Sequence, residues 1–137
     1  MKNIETLDMS GDAGLKVRGS SLAEVFANAA SGMSGLITDM RDIASTEERE
    51  SSLKSDSLED LLILWLNELI FLFDRDGFIG KSFNVNLEGN TLTAKISGGI
   101  FDPSLNEKRL LLKAATYHRL SLKKMKSLWE AVVVFDI

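Results

Sequence analysis

Residues able to do chemistry cluster in three short stretches. The first is Asp8-Met9-Ser10-Gly11-Asp12-Ala13-Gly14. Two carboxylates four residues apart, with serine and glycine between them, can fold round a hard cation such as Ca²⁺ or Mg²⁺, which takes oxygen ligands. The same composition also makes an ordinary turn, because an aspartate side chain bonds nearby backbone N–H groups. The acids are too few for an EF-hand loop. The second stretch is Leu110-Leu111-Leu112-Lys113-Ala114-Ala115-Thr116-Tyr117-His118, which holds the only histidine and the only tyrosine. A buried ammonium is costly unless paired. Lys113 therefore stands at a sheet edge, where it blocks strand addition, or it points into a carboxylate-lined pocket. On an alternating strand Tyr117 faces away from His118, and His118 shares a face with Thr116. One histidine is enough for a general base or a single metal ligand, and it is equally at home as a plain surface residue. The third stretch is Ala131-Val132-Val133-Val134-Phe135-Asp136-Ile137. It reads as a strand buried on both faces. It ends on two adjacent negative charges, the Asp136 side chain and the α-carboxylate of Ile137. Either the core stops there and the end meets water, or the carboxylates meet something positive.

The elements that must position these groups follow from periodicity. Ile4 to Met9 reads as a first strand, Gly11 and Gly14 bracket a turn, and Leu15 to Gly19 alternates as a second strand. Ser21 and Glu24 form a capping box, and Leu22, Val25, Phe26, Ala29, Met33, Leu36 and Ile37 follow at helical spacing. Thr46 to Ser55 reads as a polar strand. Asp56 and Ser57 cap a second helix from about Leu58 to Asp74, apolar on most sides and hence the most buried. After Arg75-Asp76-Gly77 the period changes to two. Phe83, Val85 and Leu87, then Leu92, Ala94 and Ile96, make a hairpin about Gly89-Asn90. A loop leads to a strand from Leu110 to Lys123, a turn at Lys124 to Ser127, and the last strand. The pattern is α+β: a mostly antiparallel sheet packed with two long helices, in a single domain spanning residues 1–137.

Composition narrows the function. The chain has 137 residues, 45% hydrophobic, with no cysteine. That length and apolar content suit one domain with its own core. Disulfides, thiolate metal sites and a cysteine nucleophile are excluded. The first residues lack the apolar segment of a signal peptide, so a cytoplasmic setting is expected. Leu61 to Phe73 spans 13 residues and includes Asn67 and Glu68, too short and too polar for a bilayer. A net charge of −4 argues against a free-standing nucleic-acid binder. The balance is uneven: residues 1–60 carry 12 acids and 6 bases, whereas residues 106–137 carry 3 acids and 7 bases. The basic last third could steer a partner or contact a few phosphates. There is no P-loop, paired-histidine zinc helix or nucleophile elbow.

Taken together, these stretches resemble the archease family. Its first motif, roughly Asp-His-Thr-Ala-Asp, stands here as Asp8 to Asp12, with Met9 in place of histidine and Ser10-Gly11 in place of Thr-Ala. Its apolar helix stands as Leu61 to Asp74, and a Phe-Asp pair as Phe101-Asp102. Lys-Ala-x-Thr-Tyr-His is intact as Lys113 to His118, and Val-Val-x-Asp-Ile as Val133 to Ile137. The resemblance implies a non-enzymatic accessory protein of the RtcB-type RNA ligase, which rejoins tRNA halves in splicing. Such a protein helps the ligase become guanylylated and turn over repeatedly. It implies a divalent metal, Ca²⁺ first and Mg²⁺, Mn²⁺ or Zn²⁺ as alternatives, held by Asp12, Asp136 and the terminal carboxylate of Ile137, with Asp8 as a neighbour. Lys113 is implied in ligase activation, and His118 lies in the same motif without an assigned role. Partners would be the ligase, tRNA only through the ligase, and an RNA-modifying enzyme, with no membrane. Met is a poor partner for a hard cation, so Met9 bears on affinity. Two other functions compete: a small metal-dependent phosphoester hydrolase using Asp12, Asp136 and Lys113, and a non-catalytic chaperone or interaction module whose acids are structural.

Overall fold

The computed structural model describes residues 3–137. In chain order the elements are β1 (Ile4–Met9), β2 (Asp12–Gly19), α1 (Leu22–Ile37), a 3₁₀ turn (Met40–Asp42), β3 (Glu47–Lys54), α2 (Leu58–Asp76), β4 (Phe78–Glu88), β5 (Thr91–Ile100), β6 (Ala114–Lys124) and β7 (Trp129–Asp136). The strands divide into two antiparallel sheets. One has the order β1-β2-β7-β6 and the other β3-β5-β4. Both helices contact both sheets, which gives a single α+β domain with its core around the helices.

Local chemistry explains the helix ends. The Ser21 hydroxyl accepts the Glu24 N–H (3.1 Å) and the Ser57 hydroxyl accepts the Asp60 N–H (3.0 Å); each satisfies a donor that the first helical turn leaves free. Asp56 does not cap α2; its carbonyl accepts from the Asn90 amide instead. Helix α2 runs two residues beyond the expected Asp74 and stops at Gly77. That glycine takes the left-handed conformation (φ 70°) and donates its N–H to Phe73. Trp65 is fully buried and donates its indole N–H to the Phe26 carbonyl on α1 (3.0 Å). The two helices are thereby joined by a polar contact inside an apolar core. The outer side of α2 leaves Leu64 and Phe71 exposed.

The strand expected from Leu110 begins only at Ala114. The cause is the end of α1, whose last carbonyls lack intrahelical donors. Leu110 donates its N–H to Leu36, Arg109 donates its N–H to Ile37, and the Arg109 guanidinium donates to Gly35. Arg109 and Leu110 thus cap α1 before the chain enters the sheet.

Candidate metal centre and the motif strand beside it

Strands β1 and β2 meet through a two-residue turn, Ser10-Gly11, with Met9 opposite Asp12 and Gly11 at φ 79°. Glycine takes that φ without the strain a Cβ brings. The Asp8 to Gly14 stretch is therefore a tight hairpin turn, not a loop wrapped round an ion. Asp8 pairs with Ala13. Because side chains alternate, Asp8 lies on the sheet face opposite to Asp12. The geometry separates the acid expected as a metal neighbour from the pair.

Asp12 pairs in register with Asp136 of β7, and Asp136 pairs on its other side with Ala114 of β6. Met9, Asp12, Asp136 and Ala114 form one row across the sheet, with side chains on one face. The strand between β1 and β7 is β2. Directly opposed residues hold their Cβ atoms about 5 Å apart, and like charges so placed destabilise a sheet. Among the described residues neither carboxylate has an ion pair or a side-chain hydrogen bond. The floor beside them is apolar. Val134, two residues from Asp136 on the same face, is buried (1% exposed), and Met9 lies across Gly14, where an added Cβ would come within 2.9 Å of its sulfur.

Two opposed, uncompensated carboxylates suit a hard divalent cation, which binds oxygen and neutralises their repulsion. Among the described residues no group of three or more histidine, cysteine, aspartate or glutamate side chains converges. The acids that meet here are therefore two, Asp12 and Asp136, and a cation held between them would need further oxygens from elsewhere. Lys113 lies at the same end of the sheet: its backbone N–H donates to the Asp136 carbonyl (2.8 Å). Its side chain is exposed, without an ion pair among the described residues, so the carboxylate-lined pocket does not form round it.

The strand after Lys113 is not regular. Thr116 pairs with Val134 and Ser121 with Val132, so Tyr117 to Leu120 bulge out opposite Val133 alone. Tyr117 and His118 both fall in this bulge, and both are exposed, as is Arg119. Sequence reading missed the residue that holds this strand. Asn67 of α2 accepts the Ala115 N–H (2.8 Å) and donates to the Ala115 carbonyl (3.3 Å). Its side-chain amide takes the place of a neighbouring strand. One turn-pair earlier on α2, Asp60 accepts from the Tyr117 hydroxyl (2.8 Å), which pushes the phenol pKa up. An amide inside an apolar helix was the one available signal.

The small two-sheet α+β domain defines a class, and comparison with known proteins agrees. The profile of the Archease protein family (MTH1598/TM1083) matches residues 4–137. Protein archease of Methanosarcina barkeri is 37% identical over 141 residues, 99% of this chain and 97% of its own length. Protein archease of Saccharolobus solfataricus is 35% identical over the whole of both chains. Among solved structures, Protein 1598 of Methanobacterium thermoautotrophicum superposes with a TM-score of 0.88 at 32% identity over all of both chains. An archease from Thermotoga maritima, described as a possible chaperone, shares the fold at a TM-score of 0.67 and 23% identity, covering 97% of this chain and 96% of its own. The chain belongs to the archease family. Among the described residues no helix is long and apolar enough to cross a membrane.

Proposed function

We propose that the chain is a metal-binding accessory protein that activates an RtcB-type RNA ligase in tRNA splicing by promoting its guanylylation and multiple turnover. The observation that carries this reading is the in-register pairing of Asp12 with Asp136, two carboxylates that no side-chain cation neutralises among the described residues. Asp12, Asp136 and the Ile137 carboxylate would hold the ion, with Ca²⁺ the first candidate. A bound divalent cation supplies positive charge where the two strand ends repel. The chain's own residues then do the positioning: Asp136 fixes the end of β7 against β2, and its carbonyl holds the Lys113 backbone. The Lys113 ammonium, exposed and without an ion pair among the described residues, would meet an anionic group of the ligase or its nucleotide. The protein catalyses nothing alone in this reading. It works in the cytoplasm, where a chaperone-like role toward an RNA-modifying enzyme would use the same surface.

The test is thermal unfolding of metal-stripped protein titrated with Ca²⁺, Mg²⁺, Mn²⁺ and Zn²⁺. A ligand that binds only the folded state raises its stability by about 2.7 kcal/mol at a hundredfold excess over Kd. The rise should vanish in Asp136→Ala and shrink when Ile137 is deleted. In parallel, GTP-dependent guanylylation of a cognate ligase should be stimulated by the parent chain and not by Lys113→Ala. Stimulation that survives both changes would sink the assignment. Phosphatase or nuclease activity of the isolated protein would favour the hydrolase reading instead.

A further inference from the structure

The bulge in β6 is built in a way its sheet does not require. Four residues, Tyr117 to Leu120, stand opposite Val133 alone. Arg119 is the only non-glycine residue with positive φ (55°) among the described residues. Strain of this kind persists where the surroundings enforce it, and it gathers at ligand contacts. Here α2 enforces it from both sides of the bulge's entry, through Asn67 on Ala115 and Asp60 on the Tyr117 hydroxyl. The result is three consecutive exposed side chains, Tyr117, His118 and Arg119.

Charge pairing marks this place as different from the rest of the surface. Arg18, Arg41, Arg49, Arg75 and Arg109 all sit in ion pairs. Arg119 has none among the described residues. Lys123, Lys124 and Lys126 follow on the same hairpin, all exposed. From residue 108 to residue 135 the one acid is Glu130, already bound to Arg18. Basic groups thus outnumber acids along this hairpin, and the Asp60 carboxylate beside it is taken up by the Tyr117 hydroxyl. Tyr117 is 60% exposed and its ring touches no other ring among the described residues, while its hydroxyl is anchored. An immobilised aromatic face beside an unpaired arginine matches single-stranded nucleic acid, whose bases stack on aromatic rings and whose phosphates take guanidinium contacts.

We propose that the Tyr117 to Leu120 bulge is a contact site for single-stranded RNA, with Arg119 on a backbone phosphate and the Tyr117 ring against a base. The contacts themselves need only phosphate and base; that the strand is RNA rests on the proposed function. This goes beyond an RNA encounter made only through a ligase. The fold still carries a net negative charge, so the contact is local and weak, suited to a strand already held by a partner.

Fluorescence anisotropy of a labelled single-stranded oligouridylate with the full chain tests it, without ligase or metal, so it stands or falls apart from the metal-centre reading. Saturable binding at low salt, weakening as salt rises, is expected. Arg119→Asn tolerates the left-handed backbone and removes the charge. It should weaken binding and lower the slope of log affinity against log salt by about one. Tyr117→Leu should weaken binding at every salt concentration with the slope unchanged. Melting curves of both variants establish that they fold, and either variant alone decides the matter. No saturable binding at low salt, an unchanged slope in Arg119→Asn, or preferential binding of polyglutamate over the RNA would overturn the proposal.

Discussion

Met9 sits where the family motif reads histidine, and the structure gives that position a neighbour. It lies in the row of Asp12 and Asp136, on the same face, with its sulfur resting over Gly14. A thioether adds packing beside the clamp and offers nothing to a hard cation. Imidazole at the same place would add a nitrogen ligand or orient a carboxylate, changes worth about tenfold or more in metal affinity. Met9→His is therefore expected to tighten Zn²⁺ and Mn²⁺ binding more than Ca²⁺ binding, read by calorimetric titration. Equal affinities in parent and variant would place residue 9 outside the coordination sphere. At this scale the individual acids were visible in the sequence, and their partnership was not. Asp8 and Asp12 look like a pair because they are close along the chain, yet a two-residue turn sends them to opposite faces. Asp12 and Asp136 come from opposite ends of the chain, and only strand register makes them meet.

Strand β6 shows the same division between elements. Its outer edge has no strand neighbour, and an open edge invites pairing with another chain. Helix α2 closes it with Asn67, which returns both hydrogen bonds of Ala115. Asn67→Leu keeps a helix-compatible residue and removes both bonds. It should cost about 1 to 3 kcal/mol for the groups left unpaired, seen as a lower melting temperature and as faster hydrogen exchange at the Ala115 amide. Unchanged exchange there would mean that the edge is held by other contacts. Helix starts were legible because Ser21 and Ser57 act within one turn of themselves, and the β4–β5 hairpin because its turn and alternation are contiguous. The start of β6 was misplaced because Leu110 to Leu112 look like strand, while the Leu110 N–H, like that of Arg109 before it, goes to the end of a helix far back in the chain. The bulge was invisible, since nothing in Thr116-Tyr117-His118-Arg119 announces a change of register.

For the molecule as a whole, acid stability rests on carboxylates held by neighbouring donors. Asp76 is held well below the usual carboxylate range, first by Arg75 and then by Arg49, and joins the end of α2 to β3. Asp39 is lowered by the Arg41 guanidinium and then by the Arg41 N–H, and Asp102 by the Ser104 hydroxyl and N–H. Because the folded state lowers these pKa values, the unfolded chain binds protons more readily. The stabilisation is present above about pH 4, the unfolded carboxyl pKa, and is lost as pH falls below it. Melting temperature should therefore drop on acidification below that point, with a shallower drop in Asp76→Asn. A parallel acid limb in that variant would show that Asp76 contributes nothing to it. The sheet order β1-β2-β7-β6 has a different consequence. Strand β7 lies far from β2 along the chain, yet it is the one that joins the β1–β2 hairpin to β6. While a ribosome is still making β7, β2 has an open edge and the apolar side chains of Leu15 and Val17 lack their partners Val133 and Ala131. The nascent chain must keep the β1–β2 hairpin and β6 apart, and soluble, until the codons of β7 have been read.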